Sequence, residues 1–373
     1  MKILHTADWH LGKTLKGQNL LDDQKFILDE IFDIIRDEKP DAILIAGDVY
    51  DRGVPPAEAV ELFDETLTKL SEKKIPTLII AGNHDSPKRL DFGSKIFERQ
   101  KIFIAAKISD EPKNVVLEDD FGEIYFSMIP FFEPGEIKAK FFDEDSERPT
   151  YNEANRFYVD LARKKIPAGK RSVAMAHVFL TGGEESDSER KIVGTLANVD
   201  AKIFSAYNYV ALGHLHRPQK FYSGSPLKYS FDEAAQKKSV TLVDIDGAGE
   251  VQTKKIPLTP RRDVRVVSGT FDELIKFSRT DDYICAKLTE RVINAQDKLA
   301  WTFPNLLSVE VAFQKNSADE NSAGQFGAGI STLDYFADFF KAQTGENLSD
   351  DYREAVSILL EGLRKTGYEK SRS

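Results

Sequence analysis

The fold is decided by two stretches, Ala42-Ile43-Leu44-Ile45-Ala46-Gly47-Asp48-Val49-Tyr50-Asp51 and Thr77-Leu78-Ile79-Ile80-Ala81-Gly82-Asn83-His84-Asp85. Each is a short, unbroken apolar run closed by a glycine and polar residues, the pattern of a strand buried on both faces. Between them, Pro55-Pro56 stands where a helix can begin, and Ala59, Phe63, Leu67 and Leu70 make one buried stripe. Upstream, Ile3 to Ala7 is a similar run. It is followed by Ile27, Ile31, Ile34 and Ile35 on one helical face, then by Pro40 as a stop. Strand, helix, strand, helix, strand predicts parallel strands joined by right-handed crossovers, an α/β fold. The polar clusters fall at the carboxyl ends of the strands, where open α/β sheets bind ligands.

Further strands are predicted at Ile124–Ile129, Val173–His177, Tyr209–Leu212 and Val240–Ile245, with a charged loop leading to a helix between Phe141 and Arg156. From Val264 the pattern restarts. Strands are predicted at Val264–Val267, Tyr283–Leu288 and Leu307–Phe313, and helices at Phe271–Phe277 and Ala295–Phe303. Lys315 to Gly329 has linker composition, and two amphipathic helices close the chain, Leu333–Gln343 and Asp350–Lys365. The predicted division is a first domain at 1–260, a small α+β domain at 261–315, a linker at 316–329 and a helical segment at 330–373. The apolar faces of that last segment suit docking on a partner's helix pair.

The chain has 373 residues, 41 % apolar and 30 % charged, which are globular values. Lys and Arg (51) against Asp and Glu (61) leave −10, so an unaided grip on polyanions is excluded and bound cations or a partner would have to supply it. Cys285 is the single cysteine, so there is no internal disulfide. No apolar run is long enough for a membrane span, and the opening run is too short for a signal peptide; a cytoplasmic location is expected.

Five of the six histidines lie in polar clusters at strand ends: Asp8-Trp9-His10, Gly82-Asn83-His84-Asp85, His177, and Gly213-His214-Leu215-His216; Gly47-Asp48-Val49-Tyr50-Asp51 adds carboxylates. Imidazoles with hard oxygen donors suit Mn²⁺, Fe²⁺ or Zn²⁺. Glycines 47, 82 and 213 let the backbone turn tightly there. His5 lies inside the first strand and reads as packed and hydrogen-bonded, as does Trp9 between two ligands. Arg52, Lys88, Arg89, Arg217 and Lys228 adjoin these motifs and could meet phosphates; Lys164-Lys165, Lys170-Arg171 and Arg261-Arg262 read as solvated faces.

The order Asp-x-His, Gly-Asp-x-x-Asp, Gly-Asn-His-Asp, His, Gly-His-x-His resembles the calcineurin-like metallophosphoesterase superfamily. Lys2-Ile3-Leu4-His5-Thr6-Ala7-Asp8-Trp9-His10-Leu11-Gly12-Lys13 and Tyr222-Ser223-Gly224-Ser225-Pro226-Leu227-Lys228-Tyr229-Ser230-Phe231 narrow it to the bacterial SbcD-type branch of the double-strand-break repair nucleases. The likeness implies a core of two sheets sandwiched by helices, an α+β cap and C-terminal helices. It implies two divalent ions, Mn²⁺ first among them. One would be held by Asp8, His10, Asp48 and His216, and the other by Asp48, Asn83, His177 and His214, with Asp48 shared. His84 would contact phosphate and protonate the leaving oxygen, with Asp51 orienting its imidazole. Asp85 reads as a turn residue.

The implied activity is hydrolysis of DNA phosphodiesters in repair, recombination and replication. With an SbcC-type coiled-coil ATPase this would be an ATP-dependent double-strand exonuclease and a single-strand or hairpin endonuclease, working as a homodimer within a heterotetramer. The chain has no Gly-x-x-x-x-Gly-Lys-[Ser/Thr] loop, so ATP chemistry would belong to the partner. A protein phosphatase or small-molecule phosphodiesterase of the same superfamily stays open. Against it, the serine/threonine phosphatases have Glu where Asp85 stands and lack the His-x-His pair.

Overall fold

The structure is a computed structural model, which describes residues 1–189, 198–311 and 332–369. These fall into two compact units, Met1–Phe313 and Gln314–Ser373.

The first unit is built on two sheets. The larger joins β1 (Lys2–Thr6), β2 (Ala42–Ala46), β3 (Thr77–Ile80) and β4 (Ile102–Ala105), all parallel; β9 (Ser239–Ile245) runs antiparallel on the other side of β1, and β10 (Val251–Pro257) edges it. The smaller sheet has the order β8 (Tyr209–Gly213), β7 (Arg171–His177), β6 (Gly122–Ile129), β5 (Lys113–Asp119), with β5 alone antiparallel. Alternation of side chains about each strand sets three apolar layers. Ile3, Leu44, Leu78 and Ile80 of the larger sheet meet Phe126, Met128, Val173 and Met175 of the smaller in a layer sealed from solvent. The opposite faces, with Leu4, Ile43, Ile45 and Ile79, take the stripes of α1 (Leu21–Glu38) and α2 (Ala57–Lys73), including Ile27, Ile31, Phe63 and Leu67. The smaller sheet's outer face packs on α3 (Tyr151–Arg163) through Ala154, Tyr158 and Val159. Two sheets between helices, the expected architecture, is what the strand patterns build.

The helix signals act as expected. Lys39 ends α1 in the left-handed conformation ahead of Pro40, and Pro56 precedes α2. Strands β5 and β10 escaped the sequence reading because their side chains are largely exposed and polar, so no apolar run marks them.

Residues 261–311 form a parallel sheet of β11 (Val264–Gly269), β12 (Tyr283–Leu288) and β13 (Leu306–Val311). It has its own core of Val267, Leu274, Ile284 and Leu299 and two short helices, Phe271–Leu274 and Ala295–Leu299. This lobe is tied to α1. The Tyr283 hydroxyl donates to Asp23 at 2.7 Å, and Arg262 donates to both Asp23 (3.1 Å) and Tyr283 (2.6 Å). The second unit comprises α4 (Thr332–Thr344) and α5 (Asp350–Glu369), with Arg353 reaching Asp334 at 3.4 Å. The predicted linker at 316–329 lies outside the described residues. No helix among the described residues is long and apolar enough to cross a membrane.

Candidate metal centre

Five strands aim their carboxyl ends at one place. The loops after β1 and β2 are zipped together: Asp8 N–H donates to Gly47 O (3.0 Å), His10 N–H to Asp48 O (2.9 Å) and Leu11 N–H to Val49 O (2.9 Å). The loop after β3 is joined by Asp85, whose carboxylate accepts from the N–H groups of Val49 (3.1 Å), Tyr50 (2.9 Å) and Gly82 (2.9 Å). Asp85 is therefore more than a local turn: it holds two ligand loops in register. Burial, then the neighbouring Asp48, pushes its carboxyl up to about 7.

Asp8, His10, Asp48 and His214 all take positive φ, at 55°, 46°, 50° and 107°. Left-handed backbone in non-glycine residues concentrates where the surroundings over-determine it, and here it aims the four side chains inward. Of the glycines, Gly47 also has positive φ (92°), and a Cβ on it would lie 2.3 Å from His177 Nδ1. Gly213 serves a different need, close approach: a Cβ there would stand 1.9 Å from the Ala46 carbonyl of the facing sheet.

All seven expected ligands come together. His10 Nε2 lies 3.0 Å from His216 Nε2 and 3.6 Å from Asp48 Oδ2. Asn83 Oδ1 is 2.9 Å from His177 Nε2 and 3.1 Å from His214 Nδ1, while Asp48 Oδ2 is 3.3 Å from His177 Nε2. Asp48 thus reaches both groups. Three sets place one ligand atom each within 4.8 Å of one another: Asp8, His10 and His216; His10, Asp48 and His84; Asp8, Asp48 and His177.

The donor chemistry fits cations. His177 Nδ1 gives its proton to the Ala46 carbonyl at 2.9 Å, so its Nε2 lone pair faces two oxygens, a contact only a proton or a cation reconciles. Asp8 Oδ2 and His10 Nδ1 are buried without a hydrogen-bond partner, an arrangement otherwise costly at this depth. Burial holds the imidazoles of His10, His214 and His216 below their ordinary value, His214 at about 3, so they present neutral lone pairs. At His177 burial acts the same way, but the Asp48 carboxylate, with Asp8 and the Ala46 carbonyl, outweighs it and holds the ring up at about 9. Burial raises the Asp8 carboxyl. It acts likewise on Asp48, but the surrounding imidazoles overturn it and keep that group ionised.

His84 sits at the half-buried rim with its ring 4.7 Å from that of His10. Its backbone N–H donates to Asp48 Oδ1 (2.8 Å) and its Nδ1 to the carbonyl of Asp51 (2.7 Å). The expected contact with Asp51 exists, but through the main chain. The Asp51 carboxylate is drawn instead to Lys13 Nζ at 2.8 Å and lies 3.7 Å from His10 Nδ1. His5 and Trp9 are packed as expected: His5 meets Tyr209 Oη (2.9 Å) and Leu212 O (3.2 Å), and Trp9 donates to Thr6 Oγ1 (2.9 Å).

Two of the basic candidates have structural partners. Lys228 is anchored on Asp263 (2.8 Å) and the Ala234 carbonyl (2.7 Å), and Arg171, read as a solvated face, is buried on Asp119 (2.5 Å). What sequence reasoning missed is the layer behind the ligands. Gln24 Nε2 donates to the carbonyls of Trp9 (3.1 Å) and His10 (2.7 Å) from the first turn of α1, and Glu189 and Glu233 stand behind His216. No local pattern marks them.

Residues 1–218 match the family model of the calcineurin-like phosphoesterases. The chain belongs to that family. It is also 34 % identical over 374 residues to the SbcD subunit of nuclease SbcCD from Staphylococcus epidermidis, covering 96 % of this chain and 98 % of that one. The protein of the same name from Staphylococcus saprophyticus is 33 % identical over 385 residues, covering 98 % and 100 %. Within the phosphoesterases the chain therefore belongs to the SbcD family, and it is a hydrolase of phosphodiester bonds. A solved structure from Thermus thermophilus aligns with 68 % of this chain and 98 % of its own at 13 % identity and a TM-score of 0.40, too distant to add to this.

Proposed function

We propose that this chain is the nuclease subunit of a DNA-processing complex, cleaving DNA with two divalent ions, Mn²⁺ first among them. The observation that supports this most is the meeting of His10 and His216 Nε2 atoms (3.0 Å) beside an Asp48 carboxylate that also faces His177 (3.3 Å). Asp8, His10, Asp48 and His216 would hold one ion, and Asp48, Asn83, His177 and His214 the other. Bound there, such ions supply Lewis acidity toward a phosphoryl oxygen and lower the pKa of water.

The chain's own residues do the rest. Asp48 and Asp8 fix negative charge beneath the site, so that an acidic protein can receive a polyanion once cations are present. His84, held by the Asp51 carbonyl through Nδ1, has Nε2 free to carry a proton to the departing oxygen. The relatives' shared name, nuclease SbcCD, supports an SbcC-type ATPase as partner, with ATP-driven exonuclease action on double strands and endonuclease action on hairpins in the cytoplasm. The first domain (1–260), cap (261–315) and linker (316–329) are proposed as the sequence divides them, with residues 330–373 as the docking segment and a homodimer as the working form. Deleting residues 330–373 is expected to abolish co-purification with the ATPase and leave metal-dependent single-strand cleavage.

The test is a labelled DNA hairpin incubated with Mn²⁺ or Mg²⁺, with and without the ATPase and ATP, alongside a phosphopeptide and a cyclic dinucleotide. Hairpin cleavage favoured by Mn²⁺ is expected. An intact hairpin with either small substrate hydrolysed would overturn the proposal.

A further inference from the structure

His216 is gripped on three sides by residues that no ligand motif contains. Its N–H donates to Glu189 Oε1 at 2.7 Å, and its carbonyl accepts from Lys238 Nζ at 2.9 Å. Its Nδ1 faces Ser188 Oγ at 2.6 Å and Glu233 Oε1 at 3.2 Å, and the Ser188 hydroxyl in turn donates to Glu233. Glu233 is wholly buried on the short turn Asp232–Ala235. Its other oxygen accepts from Lys238 Nζ at 2.6 Å and the Tyr229 N–H at 3.3 Å. Burial favours the neutral acid, but Lys238 and His216 outweigh it and keep Glu233 a carboxylate, well below the usual range.

An ionised carboxylate only accepts. The ring nitrogen facing it must therefore carry the proton, and the other must carry the lone pair. Free imidazole in water favours the opposite tautomer, so the protein has to impose this one. We propose that Glu233, with Ser188 as its relay, is a positioning residue: it fixes His216 as the Nδ1–H tautomer and so points the Nε2 lone pair at the space shared with His10. Lys238 compensates the buried charge and ties the same turn to the His216 backbone. A carboxylate behind a metal-binding imidazole fixes its tautomer and raises its basicity. The inference rests on the metal-centre reading above and adds the element that orients one ligand.

The experiment uses the full chain with ¹⁵N-labelled histidine. Two-bond ¹H–¹⁵N correlation spectra of the metal-free protein at neutral pH report the tautomer of His216, assigned by its loss in His216→Gln. Calorimetric titration with Mn²⁺ reports the two affinities. The wild type is expected as Nδ1–H. Glu233→Met/Lys238→Met removes the acceptor together with its counter-charge, an exchange that buried pairs commonly tolerate. It is expected to shift His216 to Nε2–H and to weaken one site about 10–100-fold, leaving the other unchanged. Glu233→Gln/Lys238→Met keeps an acceptor and is expected to restore both readouts. A wild-type His216 found as Nε2–H overturns the inference whether or not the variants fold. So does a folded methionine pair with unchanged affinity, or a glutamine variant as weak as the methionine one. A wild type that binds two ions with the wrong tautomer defeats this inference alone, whereas one that binds none defeats the metal-centre reading with it.

Discussion

The two sheets contribute different chemistry to the centre they enclose. The loops of the larger sheet bring the carboxylates Asp8 and Asp48, with Asp51 and Asp85 close by. The smaller sheet brings only imidazoles, His177 directly from β7 and His214 and His216 just after β8. The carboxylate side is held by main-chain zippering between loops and by Asp85; the imidazole side is held by the carbonyl of Ala46 and by the Glu189, Glu233 and Lys238 layer. One half supplies fixed charge and the other neutral lone pairs, and neither half is a site by itself.

Four experiments would break or sharpen that contrast. The largest effect is expected from Asp48→Asn, which keeps the oxygen that accepts from His84 but removes the charge reaching both ligand groups; phosphodiester hydrolysis should fall about 10⁴-fold, as for a residue acting within a catalytic unit, with bound metal lost in elemental analysis. Next, Phe126→Ala opens the layer that presses the halves together and should cost about 3–5 kcal/mol in chemical denaturation, with metal affinity falling in parallel. His84→Gln lies at the rim and should retain two metals while hydrolysis drops about 100-fold, the range of a lost general acid; full activity would remove its role. The smallest is a pH effect within the smaller sheet alone. The Arg171 guanidinium holds the Asp119 carboxyl below its usual range. Its stabilisation is present above the unfolded carboxyl's ordinary value near 4 and is lost as pH falls through the lower folded value. The stability gap between wild type and Asp119→Asn should therefore be constant from pH 7 to about 5 and shrink below about 4, with the centre unaffected.

Legibility in the sequence followed the same division. The larger sheet's strands and helices could be read because each is an apolar run or stripe with its own stop, and the ligands because each closes such a run. Strands β5 and β10 could not, since exposed edges carry no apolar signature. Nor could Glu233 and Gln24, whose roles exist only through partners far along the chain. Asp51 shows the limit most plainly: residue type foretold a side-chain contact with His84, and the backbone made it, because Lys13 took the carboxylate. The positive φ angles of Asp8, His10 and Asp48 had no forerunner either, being imposed by the loops they zip to.

The first strand has one flank on β2 and the other on β9, nearly the whole phosphoesterase core later. During synthesis the carboxylate-bearing half leaves the ribosome long before residues 239–245, so β1 waits with an open edge. Such an edge invites wrong pairing, and a chain stalled before β9 would be a candidate for chaperones rather than for cofactor loading.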